Sequence, residues 1–132
     1  MTDSEVISKN IRKLILEALV LISSKEIQFS YQKSVQIADV SAEIFCLWED
    51  SYCPEGEIFK LGFSKEELSS LNSFNSIFDE VCDDSPDELP FIDEVVNTTY
   101  WKKYSNGAHA ALSIFPQEEV DSIRACMKRD YS

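Results

Sequence analysis

Residues 64–81 read SKEELSSLNSFNSIFDEV, and this stretch decides the fold class. Ser64 followed by Glu67 is a capping box. The serine oxygen accepts from the Glu67 amide while the glutamate carboxylate accepts from the serine's own amide, satisfying two donors that a helix start leaves orphaned. Behind it, Leu68, Leu71, Phe74, Ile77 and Phe78 recur at three- and four-residue steps as far as about Val81. Serines and asparagines fall between them, so one face is apolar and the other polar. A helix of this kind must bury its stripe against other elements, and the sequence on both sides offers more of the same pattern.

Upstream, Pro54 and Gly56 break the chain, and residues 58–63 read as a connector whose apolar residues plug the core. Before the break, Asp39 or Ser41 can cap a helix that carries Val40, Ile44, Leu47 and Trp48 on its buried side and ends near Tyr52. Residues 35–38 read as an extended link. Over residues 24–33 a short helix is expected, with Ser24 as its cap and Ile27 and Tyr31 inward; the alternation in IQFSYQ is the competing strand signal, but such a strand has no evident mate. The first helix is expected over about residues 4–22, with Ile7, Ile11, Leu14, Ile15, Ala18 and Ile22 forming the core face.

Downstream, residues 82–90 (CDDSPDELP) hold two prolines and four acids, which predicts a solvated turn. Residues 91–96 make a helical turn or short helix. From about residue 98 to 115, Trp101, Tyr104, Ala108, Ala111, Leu112 and Phe115 form another apolar stripe, which Gly107 weakens by about 1 kcal/mol relative to alanine. Pro116, with Glu118 and Glu119 behind it and Lys128 and Arg129 further on, predicts a last short helix oriented favourably for its dipole. The expectation is an all-α bundle of five to seven helices in one domain spanning residues 1–132.

The chain carries a formal charge of −12, and the acidity is concentrated. Each end is about +1, whereas residues 34–101 hold sixteen acids against Lys60 and Lys65 alone. Such a field repels phosphate backbones and anionic lipid, which argues against nucleic acid and membrane as direct partners, and it attracts basic proteins. The first apolar run is interrupted by Glu17 and preceded by acids, so neither a signal peptide nor a membrane span is expected. A cytoplasmic setting with reduced thiols fits the cysteine usage.

Candidate chemistry is sparse. Cys46, Cys53, Cys82 and Cys126 include no CxxC pair, and the one histidine, His109, is far from them in sequence, so no zinc site is expected. Cys46 and Cys126 read as core residues and Cys53 as a candidate for exposure. Cys82 stands among carboxylates that disfavour its thiolate. The acidic turn lacks the spacing of an EF-hand, and only three glycines occur in the chain, so neither a calcium loop nor a phosphate-binding loop is present. No catalytic residue and no cofactor is expected, and the chain is read as a non-enzyme.

What remains is recognition. Asp79, Glu80, Asp83, Asp84, Asp87 and Glu88 occupy one helix end and the following turn, where negative charge opposes the helix dipole. A second group, Glu43, Glu49, Asp50, Glu55 and Glu57, flanks Trp48 and Tyr52 across another helix and its exit loop, with Trp48 itself expected in the core. Carboxylates mixed with an aromatic side chain can steer and anchor a basic partner. The alternative for both groups is a solvated face that keeps the protein dissolved.

The run IFCLWEDSYCPEGEIFKLGFSKEELSSLNSFNSIFDEV, followed by LP and YWKKYSNGAHAAL, resembles the immunity proteins of bacterial contact-dependent growth inhibition systems. The resemblance covers roughly residues 40–112 and rests on the WED-Y-P helix exit, the FS-x-EEL capping box and the W-x6-A helix. It implies tight binding to a cognate toxin domain, often a nuclease with a basic groove. These immunity proteins share no common set of contact residues, so the candidate contacts above come from charge placement alone. The rival expectation is an acidic helical adaptor, or a nucleic-acid mimic that regulates another basic protein.

Overall fold

A computed structural model describes residues 2–131. Among them there are eight helices and no strand: α1 (Asp3–Ser23), α2 (Lys25–Ser34), α3 (Ser41–Ser51), α4 (Glu57–Leu61), α5 (Lys65–Asp84), α6 (Ile92–Val95), α7 (Thr99–Leu112) and α8 (Gln117–Asp130). The all-α expectation holds, and the count exceeds five to seven because α4 forms where a connector was expected. Five residues are too few to display a period, and Gly56 serves as the N-cap of this short helix. Phe59 and Phe63 do plug the core, while Ile58 and Leu61 face outward.

Caps set the element boundaries much as the sequence implied. Thr2 with Glu5 and Ser64 with Glu67 each form a full capping box, and Ser24 and Thr98 accept from the amides of Ile27 and Trp101. The start of α3 differs: Val40 is its N-cap, with no side-chain cap bond. Asp39 instead ties two segments together. One carboxylate oxygen accepts from the Ile92 amide at 2.9 Å, and the other accepts from the Ser41 hydroxyl, which also lies 2.9 Å from Pro90 O. This holds the turn before α6 against the start of α3.

α1 is the central element, packed against α7, α3, α4, α8 and α2. Its expected stripe is corrected by this surround. Ile15, Leu16, Leu19, Val20 and Ile22 are fully buried, whereas Ile7 and Leu14 are 45% and 60% exposed. A helix covered on several sides buries most of its circumference, so a single-stripe pattern locates its core face poorly.

Three polar devices fix the packing. Buried Gln28 donates to the carbonyls of Leu21 and Ile22 at the end of α1 and accepts from the Trp101 indole at 3.2 Å. The Tyr104 hydroxyl lies 2.9 and 3.0 Å from the carbonyls of Ile44 and Phe45. Arg12 is the third. Its guanidinium donates twice to Glu67 (2.7 and 2.9 Å), twice to Glu119 (2.8 and 2.9 Å) and once to Gly62 O (2.8 Å), joining α1, α5, α8 and the α4 exit. It also lies over the rings of Phe63 and Phe115, at 5.6 and 5.3 Å. The Arg12 hydrogen bonds hold the Glu67 carboxyl below its ordinary range even though burial pushes the other way.

Glycine matters where helices touch. A Cβ at Gly62 would stand 2.8 Å from the Ser8 carbonyl oxygen of α1, and one at Gly107 would meet Ile77 and Phe74 of α5 at 3.1 and 3.2 Å. Gly107, which costs α7 helix propensity, thus permits the close approach of α7 to α5. No helix among the described residues is long and apolar enough to cross a membrane.

Candidate functional site

α5 buries Leu71, Phe74, Phe78 and Val81 and turns its polar side outward. It continues to Asp84, so Cys82, Asp83 and Asp84 belong to its last turn rather than to the solvated turn expected over residues 82–90. The last turn contains no basic residue, and Asp83 and Asp84 there each oppose the helix dipole at a cost of about 0.3–1 kcal/mol.

α3 lies alongside. The Phe45 ring is 5.6 Å from Phe78, and the Trp48 indole donates to Asn75 Oδ1 at 3.0 Å. With α3 fixed by these contacts, Glu49 comes to the level of Cys82. Burial pushes the Cys82 thiol up, and the charges of Glu49, Asp79 and Asp83 push it further. Burial likewise raises the Cys46 thiol, aided by Asp50 and Glu49. Glu49 thus acts on both thiols, while Asp50 acts on Cys46 and Asp79 and Asp83 act on Cys82, and both sulfurs are held in their poorly nucleophilic protonated form.

All four cysteines are free and exposed as residues, with the sulfurs of Cys46 and Cys82 only partly desolvated by their neighbours, which corrects the core placement of Cys46 and Cys126. Along α3 the buried positions go to the larger Ile44 and Trp48, and along α8 to Val120 and Met127. Cys53 is exposed.

The remaining candidates separate. Glu80 pairs with Lys103 of α7 at 3.1 Å and is not among the charges that act on Cys46 or Cys82. Tyr52 is half-buried, stacked on Trp48 at 4.6 Å and edge-on to Phe59 at 5.7 Å, so its ring belongs largely to the aromatic core. Glu55 is exposed in the α3–α4 loop, and Asp87 and Glu88 are exposed in the turn before α6. Among the described residues no ion pair involves Glu49, Asp50, Asp79, Asp83, Asp84, Asp87 or Glu88.

The sequence reading missed an apolar patch beside the acidic turn. Ile37 is 99% exposed and Phe91 is 69% exposed, and together with Phe29 and Ile92 they line an open groove. The signal was present: Ile37 stands in a link between helices and Phe91 follows a proline, so neither has a periodic partner that would bury it. His109 is exposed, close to Gln117 and Arg124. No group of three or more histidine, cysteine, aspartate or glutamate side chains among the described residues is placed to hold a metal ion.

Comparison with known proteins finds no family model, no curated protein and no solved structure that matches the chain.

Proposed function

We propose that this protein binds a cationic partner, and that the partner is the toxin domain against which it confers immunity in the cytoplasm. The observation that carries the reading is that Glu49 of α3 bears on Cys82 of α5 together with Asp79 and Asp83, and that none of these three carboxylates forms an ion pair among the described residues. Along the chain from Asp83 and Asp84, Asp87 and Glu88 are exposed in the turn that leads to the exposed Phe91. Carboxylates accelerate encounter with a basic surface, and a desolvated apolar contact slows departure. A surface serving only to keep the chain dissolved needs neither convergence at the cost of helix stability nor an adjoining apolar patch.

The test is calorimetry and stopped-flow binding against the product of the neighbouring upstream gene, with a toxicity assay in cells producing both proteins. We expect tight one-to-one binding and rescue of growth. The association rate should fall at least tenfold between low and physiological salt, and about tenfold on Glu49→Gln/Asp79→Asn/Asp83→Asn replacement. Absence of both binding and rescue refutes immunity. Binding to that protein with an association rate indifferent to salt refutes the acidic surface as the docking face. Capture of a different basic protein, with none of the neighbouring product, selects the adaptor reading.

A further inference from the structure

On the other flank of α3, between it, α1 and the ends of α2 and α8, is a cavity of about 210 Å³. Its floor is apolar and buried, formed by Leu21, Ile44 and Met127. Its mouth carries two rings and two carboxylates: Tyr31 and Tyr131, with centroids 5.0 Å apart and planes tilted by 36°, together with Glu17 and Glu43. The Tyr31 hydroxyl donates to Glu43 Oε1 at 2.5 Å, and that bond pushes the phenol up to about 12. Burial, then the charges of Glu17, Asp130 and Glu43, raise the Tyr131 hydroxyl. Both phenols are therefore neutral at physiological pH, and the two carboxylates act on the same ring from different helices. Neither Glu17 nor Glu43 makes an ion pair among the described residues.

We propose that this cavity receives an alkylguanidinium group, the side chain of an arginine on the cationic partner, with its methylenes on the apolar floor and its planar head between the glutamates and the tyrosine faces. At about 210 Å³ and open at its mouth, the cavity has room for the seven heavy atoms of an arginine side chain beyond Cα. Arginine is favoured over lysine by the arrangement of the mouth. A guanidinium has five donors in a plane, serves two carboxylates at once, stacks on aromatic rings and gives up its hydration more readily than an ammonium. A buried arginine in a well-shaped pocket is also the kind of side chain that dominates binding energy at interfaces. The owner of the arginine rests on the proposal of a cationic partner; the chemistry of the cavity does not.

Two arms test it. In the first, N-acetyl-arginine amide is titrated into the full chain and followed by NMR, with N-acetyl-norleucine amide as the uncharged control. Saturable shifts centred on Tyr31 and Tyr131 are expected, with a dissociation constant on the order of millimolar, weakened about tenfold by Glu17→Gln/Glu43→Gln. Shifts equally large with norleucine, unchanged by the double replacement, or absent from both tyrosines overturn the inference. In the second arm, the same double variant meets the neighbouring gene's product. Dissociation about tenfold faster is expected, in contrast to Glu49→Gln/Asp79→Asn/Asp83→Asn, which acts on association. If the amide binds but the protein partner does not, the cavity is a site for a free small cation and the proposed function fails. If the protein partner binds but the amide does not, the cavity assignment fails alone.

Discussion

Replacing Arg12 with methionine removes five hydrogen bonds but retains most of the stem that packs against Phe63 and Phe115. The cost falls unequally on the two carboxylates. The Glu67 side chain is only 9% exposed and would be left charged with no guanidinium beside it, a loss of about 3–5 kcal/mol. The Glu119 side chain is 35% exposed and regains water, so its share is below about 1 kcal/mol. At about 2.1 cal/mol/K per residue for a chain of 132 residues, 3–5 kcal/mol is a fall in Tm of about 11–18 °C. Urea and thermal melts of the wild type, Arg12→Met, Glu67→Gln and the double variant separate the terms. The double variant should be more stable than Arg12→Met by about 1–3 kcal/mol, because the uncompensated charge is gone. A loss below about 1 kcal/mol for Arg12→Met, or strictly additive effects in the double variant, would refute the claim that the clamp balances a buried charge.

Gly62→Ala should destabilise the fold by about 1–3 kcal/mol in the same melts, because the new methyl meets the rigid Ser8 carbonyl, whereas at Gly107 the obstacles are side chains that can yield. Acid titration of stability should reveal Glu67. Its folded-state pKa lies below the ordinary 4.5, so its contribution is complete above that value and disappears as pH falls through the folded pKa. Between about pH 5 and pH 2 the wild type should therefore lose stability more steeply than Glu67→Gln, and parallel curves would contradict this.

Fold class was legible because amphipathic stripes and serine or threonine caps are local signals, and those of α5 and α7 predicted helices in the right places. α4 was not, since a five-residue helix has no period. The outward turn of Leu14 and Ile7 was hidden because their spacing matches a core face, and only the number of neighbours around α1 decides which part of its circumference is covered. Acids were visible as a concentration in residues 34–101, but the action of Glu49 on Cys82 of α5 is a product of how α3 lies on α5. Glu67 shows the difference within one residue. Its cap role follows from a serine three positions earlier, whereas its pairing with Arg12 spans 55 positions and has no local trace. Arg12, Gln28 and the tyrosine–glutamate cavity were missed for the same reason.

The central place of α1 has a consequence for how the molecule is made. A ribosome releases this helix before nearly everything that covers it, and the helix it packs against most extensively, α7, begins only at Thr99. At about 5–20 residues per second, the apolar segment from Ile15 to Ile22 waits several seconds for α7 to be synthesised. During that interval it is a target for chaperones and for premature association with other nascent chains. The helical unit is thus obliged to fold late, and its yield in a cell depends on protecting α1 until α7 has been made.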